Sequence, residues 1–179
     1  MQITTKHLYL GAGIIVVLLV FIFWPMKKVA TTSVNNTTVP TQVLPDSSYK
    51  TTTLTMGEGS LMKTFTTEIS DTPMLEQLGL SYRTSIAPDF AMLFNFAKPA
   101  TYQFWMKDMS FPLDIIWLDA NKKVVYIAKD LSPDTYPQSY GPSMPTQYVI
   151  EVAAGTVDRI GLKLGDSAVF TCGDGFCMR

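Results

Sequence analysis

Residues 114–128 read DIIWLDANKKVVYIA, and this stretch decides the fold class. Its first segment, Asp114–Leu118, is apolar on both faces, which is typical of a strand buried inside a sheet. Asp119–Lys122 carries turn-forming residues, and Val124–Ala128 is again strand-like. The stretch therefore predicts a hairpin in which the first strand is central.

Short strand patterns separated by turn residues continue on both sides of this hairpin. Two short helices interrupt them, one opening at Asp71-Thr72-Pro73 and ending at Gly79, the other covering Val157–Ile160. Residues 130–146 are rich in Pro, Ser and Tyr and predict a long loop. The other predicted strands are Thr51–Met56, Met62–Ile69, Ala91–Phe96, Tyr102–Met106, Tyr148–Val152 and Ala168–Thr171. The predicted fold is mainly β (a β-rich α+β domain), a small antiparallel barrel or sandwich with two short helices.

The N-terminal part of the chain predicts a membrane tether. After a flank of residues 1–7, residues 8–26 are uncharged and long enough as a helix to span the roughly 30 Å hydrocarbon core. A cleaved signal peptide is the alternative, but its apolar region would be shorter and end at small residues. Residues 27–49 are rich in Thr, Ser, Asn and Pro and predict a flexible linker to a globular domain at 50–171.

Cys172 and Cys177 lie in the predicted C-terminal tail, residues 172–179. A structural disulfide between them is favoured, because the glycines between them allow a tight reversal. Two thiols alone make a poor zinc site, and the spacing differs from the C-x-x-C of redox enzymes. A disulfide implies an oxidising compartment, so the domain is expected on the extracytoplasmic side of the membrane.

Composition and charge exclude several classes of function. The single histidine, His7, lies beside the predicted anchor, so the folded domain has no histidine for a catalytic triad or a histidine-built metal site. No basic stripe is present to neutralise phosphates, which argues against nucleic-acid binding. We expect neither a metal nor a cofactor.

Residues 104–119, FWMKDMSFPLDIIWLD, resemble the core signature of the domain of unknown function 192 family. Gly79-Leu80 with Arg83, residues 91–94 (AMLF) and the segments around Glu151 and Gly165 resemble further parts of it in the same order. The resemblance covers roughly residues 60–170 and implies a compact, mainly β fold, often secreted or membrane-tethered in microbes, with no established activity. Ala91 stands where the family usually has glycine, and Asp108 where it usually has asparagine.

Three carboxylates of this region are candidates for catalysis: Asp108, Asp114 and Glu151. Asp114 is alternatively a turn carboxylate that caps nearby N–H groups. Glu151 lies in an apolar strand, where an inward charge needs a partner, and Arg83 is expected to pair with Glu151 or Asp114. A structural ion pair is the simpler interpretation of such a contact.

Aromatic residues supply the candidate ligand-binding residues: Trp105, Tyr136 and Tyr140, together with Arg83. Trp105 with the two loop tyrosines would make a platform for a sugar ring or a peptide. Core packing is nevertheless the favoured interpretation of Trp105, since large aromatic side chains are usually well buried.

Three classes of function remain open on the sequence. The favoured one is a binding module at the cell envelope that contacts a glycan or another protein through residues 130–146. The second is a hydrolase or lyase that uses two of the carboxylates on envelope glycans. The third is a purely structural or assembly role.

Overall fold

The computed structural model describes residues 49–171 of the 179-residue chain. The predicted anchor, most of the predicted linker and both cysteines lie outside these residues. Within the described part, no helix is both long and apolar enough to cross a membrane.

Nine strands, two short α-helices and two 3-10 turns make up the described residues. The 3-10 turns are Gly59–Leu61 and Pro133–Thr135. The helices are α1 (Pro73–Leu78) and α2 (Thr156–Arg159). The strands are β1 (Lys50–Met56), β2 (Lys63–Ser70), β3 (Phe90–Ala100), β4 (Phe104–Trp105), β5 (Leu113–Leu118), β6 (Val124–Leu131), β7 (Ser139–Tyr140), β8 (Thr146–Ala153) and β9 (Val169–Phe170).

Seven of these strands form one curled sheet, a half-barrel in the order β6-β5-β8-β3-β2-β1-β9. The segment between α2 and β9 links the two edges, because Gly165 and Ala168 donate backbone hydrogen bonds to Val124 and Lys122 near the start of β6. β4 and β7 form a separate two-stranded sheet. The expected β-rich fold with two short helices is therefore confirmed.

The sheet is mostly antiparallel, as expected, but one strand pair is parallel. β2 and β3 run parallel, with Glu68 opposite Met92, and the chain crosses between them through α1. A parallel pair needs such a crossover, because the chain has to return to the same end of the sheet. Thr72 caps α1 by accepting a hydrogen bond from the Leu75 backbone N–H (3.3 Å), and Gly79 ends it at φ 52°.

Both faces of the central strands are buried, whereas β1 and the first half of β2 have exposed residues on one face. One face packs against α2 and the segments next to it, and the other lies beneath the chain that connects α1 to β3 and β4 to β5. All six residues of β5 are buried, as the apolar pattern of residues 114–118 predicts for a central strand. Successive side chains of a strand point to opposite faces of the sheet, so neighbouring residues enter the hydrophobic cores on opposite sides.

Two predicted segments differ from the structure. The strand predicted at Tyr102–Met106 shrinks to β4, because this part of the chain leaves the main sheet and pairs only with β7. The long loop predicted at residues 130–146 is partly regular, since β6 extends to Leu131 and β7 lies inside it. Tyr49, placed in the linker by the sequence, contacts the domain through Arg83.

Asp114 is a fully buried carboxylate with two backbone partners. Its Oδ1 accepts from the N–H of Asp130 and its Oδ2 from the N–H of Val157 in the first turn of α2, both at 2.9 Å. A carboxylate at this end of a helix also interacts favourably with the helix dipole. Asp114 thus joins β5 to β6 and to α2.

Replacing Asp114 by alanine should lower the free energy of unfolding by about 2–4 kcal/mol, because two backbone N–H groups lose their acceptor, at least one of them in the core. Asp119→Ala is the matched control, since Asp119 Oδ1 also accepts from two backbone N–H groups, of Asn121 and Lys123, but in an exposed turn where water can replace it. Urea unfolding of both variants measures the difference. Equal losses would contradict a special role for the buried carboxylate.

Candidate functional site

A cleft of about 410 Å³ opens beside α1, and we call it the aromatic cleft. Its walls come from α1 and the residues after it, from β3, from β4 and from one residue of β8. The lining residues are Pro73, Glu76, Gln77, Leu78, Gly79, Leu80, Ser81, Phe94, Phe96, Tyr102, Gln103, Phe104, Trp105, Lys107, Met109 and Glu151. The cleft therefore lies on the crossover between the two parallel strands.

Aromatic rings pack against one another along the cleft. Phe94 and Phe96 are two residues apart on β3 and so project to the same face. Phe104 meets the Phe94 ring edge to face at 4.8 Å between centroids, and Tyr102 stacks on Phe96 at 3.5 Å with an interplanar angle of 11°. These mutual contacts hold the walls in place without a ligand.

Trp105 stands at the mouth of this cleft, 55% exposed. Its ring meets that of Tyr136, itself 46% exposed, edge to face at 6.1 Å. The favoured interpretation of Trp105 as a core residue is wrong, because β4 lies in the small second sheet and Trp105 faces away from the sheet below. Tyr140 pairs with Phe104 across β4 and β7 and packs against the core. The structure thus brings Trp105 and Tyr136 together and places Tyr140 behind them.

Glu151 lies at the floor of the aromatic cleft and is only 5% exposed. It sits in the middle of β8, opposite Met92 on one side and Ile115 on the other. Its Oε2 is buried and has no hydrogen-bond partner in the part of the chain that the structure describes. Burial raises the pKa of Glu151 to about 8, although the nearby positive charge of Arg83 acts in the opposite direction.

Gly79 covers this carboxyl group. A Cβ atom at residue 79 would lie 3.3 Å from Cζ of Phe94 and 3.8 Å from Oε2 of Glu151. The residue also has φ 52°, which side chains other than glycine adopt only with strain. Glycine is therefore required here both by its backbone conformation and by the close approach of α1 to the floor of the cleft.

Arg83 forms its ion pair with Glu68 on β2, with Nη2 and Oε2 2.5 Å apart. Its guanidinium also lies over the rings of Tyr49 and Phe90, at 5.5 and 5.3 Å from the centroids. The sequence analysis expected Glu151 or Asp114 as its ion-pair partner, and this expectation is wrong. Register explains the result, because Glu68, Met92 and Glu151 form one row across β2, β3 and β8, and Arg83 reaches the nearer carboxylate.

Glu76 and Tyr102 also line the cleft, but they were not among the site residues predicted from the sequence. Burial, reinforced by the negative charge of Asp71, raises the pKa of Glu76, and burial followed by the charge of Glu76 raises the pKa of Tyr102. Glu76 projects from α1 into the same cleft as Glu151. The sequence shows that Glu76 lies in a short helix before a strand. It does not show that the side chain of Glu76 faces this cleft.

The three candidate carboxylates do not converge on one site. Glu151 is paired with Ile115, so the neighbouring Asp114 projects from the opposite face of the sheet. Asp108 is exposed, where its Oδ2 accepts from the hydroxyl of Tyr82 at 3.1 Å and lies 4.0 Å from Nζ of Lys107. Across residues 49–171, no cluster of acidic, histidine or cysteine side chains is arranged to hold a metal ion.

The stability of the folded domain should fall between about pH 5 and about pH 8, because unfolded Glu151 loses its proton near 4.5 while folded Glu151 keeps it to about 8. The titratable groups near this carboxyl are Arg83, which is paired with Glu68, and the phenol of Tyr49. Glutamine does not titrate, so the Glu151→Gln variant lacks this loss in the free energy of unfolding, which is up to about 1.4 kcal/mol per pH unit. The variant should therefore gain stability relative to the wild type as the pH rises.

Thermal unfolding of both proteins across this pH range checks the expectation. Glu58→Gln is the control, because Glu58 is an exposed carboxylate paired with Lys163 far along the chain. The control should run parallel to the wild type. A Glu151→Gln curve that also runs parallel would show that Glu151 titrates alike in the folded and unfolded states.

Comparisons with known proteins agree with this fold. A protein from Sinorhizobium meliloti 1021, provisionally described as a transcription regulator, has a crystal structure that matches with a TM-score of 0.65 at 29% identity, covering 68% of this chain and 95% of that one. A protein of unknown function from Novosphingobium aromaticivorans DSM 12444 matches with a TM-score of 0.64 at 28% identity, covering 70% of this chain and 89% of that one. None of the curated proteins shows significant similarity to this chain.

A match to a family model confirms the family resemblance seen in the sequence. The model of DUF192, described as an uncharacterized ACR, covers residues 53–170, which is more than half of the chain and all of the sheet except the first three residues of β1. This chain belongs to the DUF192 family.

Proposed function

We propose that this domain is a binding module and that its ligand occupies the aromatic cleft against Trp105 and Tyr136. The observation that carries the proposal is the exposed Trp105–Tyr136 pair at the mouth of a preformed cleft. Exposed aromatic side chains that lie together form a contiguous apolar patch, and such patches mark binding surfaces more often than singly exposed residues do.

The cleft has the properties of a ligand site. Its volume of about 410 Å³ falls within the range of roughly 300–1,000 Å³ that is usual for small-molecule pockets. Five of its sixteen lining residues are aromatic, and polar groups that include Glu76, Gln103, Lys107 and Glu151 are placed among the rings. Such a combination gives a ligand apolar contact area together with points of polar recognition.

Hydrolysis by the predicted carboxylates is less well supported. A glycosidase of the usual kind needs two carboxyl groups within about 5–10 Å of each other across an open cleft. Asp114 lies on the face of the sheet opposite Glu151, and both of its oxygens already accept backbone hydrogen bonds. A purely structural role gives no reason for the exposed Trp105.

Substituting Trp105 by alanine should weaken ligand binding by about fivefold to 150-fold, since stacking on one aromatic ring is worth about 1–3 kcal/mol when the ligand is a flat ring. Soluble N-acetylglucosamine oligomers and a pool of short peptides are suitable probes. Amide chemical-shift changes in 15N-labelled domain would show which probes contact the cleft.

Leu164→Ala is the matched control, because Leu164 is 65% exposed and does not line the cleft. This variant should bind as the wild type does. Chemical-shift changes confined to residues outside the cleft, or equal losses in both variants, would refute the cleft as the binding site.

We propose further that residues 8–26 anchor the chain in a membrane and that the domain lies on the extracytoplasmic side, at the cell envelope. The proposal is supported by the uncharged length of this segment, by the Thr-, Ser- and Pro-rich residues that follow it, and by Cys172 and Cys177. An envelope glycan or an envelope protein would then be the available ligand.

The full-length chain should remain in the membrane fraction after carbonate washing, whereas a chain that begins at residue 46 should be soluble. In intact cells a membrane-impermeant maleimide should label Cys172 and Cys177 only after mild reduction. Labelling that requires lysis but no reduction would place the domain in the cytoplasm. That result would overturn the proposed location.

A further inference from the structure

We infer that the aromatic cleft binds an organic ligand through a positively charged ammonium group, which sits among the aromatic rings and is neutralised by Glu151 and Glu76. The inference rests on the proposed function, because it names the chemical class of the ligand for that same cleft. Three observations carry it: an unpartnered carboxylate oxygen, the distribution of charge around the cleft and the nature of its walls.

The first observation is the state of Glu151. Its side chain is more than nine-tenths buried, it lines the cleft, and its Oε2 lacks a hydrogen-bond partner among the described residues. Buried polar atoms are nearly always satisfied, and an exception needs an explanation. A ligand that places positive charge over the floor of the cleft would stabilise this carboxyl group as a carboxylate.

The second observation is that the acidic groups of the cleft are not already neutralised. Neither Glu76 nor Glu151 forms an ion pair with a basic side chain in residues 49–171. Asp71 lies in the adjoining groove next to Glu76, where its carboxylate is paired with Nζ of Lys50 at 3.2 Å. The cleft thus presents carboxyl groups from two different walls.

The basic side chains around the cleft are Arg83, Lys107 and Lys98, the last of which lines the adjoining groove with Glu76. Arg83 is paired with Glu68 at 2.5 Å and lies between two aromatic rings. Lys107 lines the cleft, but its Nζ lies 4.0 Å from the carboxylate of Asp108, outside it. A cation that enters the cleft therefore meets two carboxyl groups, Glu76 and Glu151, that form no ion pair with a basic side chain in residues 49–171. Ionisation of Glu151 on binding would supply the second negative charge.

The third observation is that the walls themselves favour a cation. The faces of tryptophan, tyrosine and phenylalanine rings attract ammonium groups, and desolvated sites strengthen this attraction. Phe94, Phe96, Tyr102, Phe104 and Trp105 all line the cleft. Quaternary ammonium and methylated amine groups, which are large and weakly hydrated, suit such an aromatic site best.

A cation bound here should change the protonation of Glu151. Burial favours the neutral acid in the free domain, and the positive charge of a ligand favours the carboxylate. Binding below about pH 8 therefore releases a proton from Glu151 and becomes tighter as the pH rises, by up to about tenfold per pH unit. A neutral ligand has no such dependence, so the pH profile separates the two classes.

Choline and its neutral isostere 3,3-dimethyl-1-butanol provide the matched pair of probes. Titrated into the 15N-labelled full domain, choline should shift the amides of the cleft and bind at least about tenfold more tightly than the alcohol. Its affinity should rise between about pH 6 and about pH 8, with proton release measured by calorimetry in buffers of different ionisation enthalpy.

Glu151→Gln should abolish the pH dependence and the proton release while it keeps the shape of the cleft. Glu76→Gln should weaken choline binding at high pH by about threefold to tenfold, and Glu58→Gln, outside the cleft, should leave it unchanged. The wild-type comparison of the two probes needs no substitution, so the inference stays testable even if a variant fails to fold.

Equal binding of the two probes, or choline binding that is independent of pH, would overturn the inference. If glycan oligomers or uncharged peptides shift the cleft while choline does not, the binding module stands and the cationic ligand is refuted. If neither class of probe shifts any residue of the cleft, both the ligand class and the proposed function fail.

Discussion

The position of β8 between β3 and β5 is the constraint on which the rest of the structure depends. Hydrogen bonding on both sides fixes the register of this strand, and a slip of one residue would exchange its two faces. Both faces are buried, so Glu151 cannot turn to water. The carboxyl group of Glu151 on β8 therefore lies in an apolar layer, and the residues that pack over this face of the sheet have to accommodate it.

Asp114 and Glu151 show two outcomes of burying a carboxyl group in the same sheet. Asp114 meets two backbone N–H groups, so its charge is compensated and its contribution is to folding. Glu151 has an unpartnered oxygen and a raised pKa, and the nearest guanidinium, that of Arg83, is held by Glu68. When a buried polar atom has no hydrogen-bond partner within the fold, a functional role is the natural explanation.

The sequence predicted the strands well because most of them are long and bounded by turn residues. The hairpin of β5 and β6, the cap of α1 at Thr72 and its end at Gly79 all follow from local chemistry. The parallel pairing of β2 with β3 did not follow, although strand, helix and strand succeed one another there. Whether two strands pair parallel or antiparallel depends on the end of the sheet to which the connecting chain returns. Local residue propensities do not determine that end.

The site was predicted less well than the fold, for a related reason. Trp105 and Tyr136 were correctly grouped as aromatic neighbours, yet the exposure of Trp105 depends on the separate sheet of β4 and β7, whose strands are only two residues long. The pairing of Arg83 with Glu68 depends on the row of residues across three strands. Contacts between strands that are distant in sequence are set by register, and register is not readable from one sequence.

The floor and the mouth of the cleft are carried by different parts of the fold. Gly79 brings α1 onto Phe94 and Glu151, and these two residues belong to the interior strands of the seven-stranded sheet. Trp105 and Tyr136 rest instead on and beside a two-stranded ladder, and such small ladders are marginally stable on their own. In the proposed complex the floor would meet the charged group of the ligand and the mouth its remaining surface, so charge and shape would be recognised by different parts of the fold.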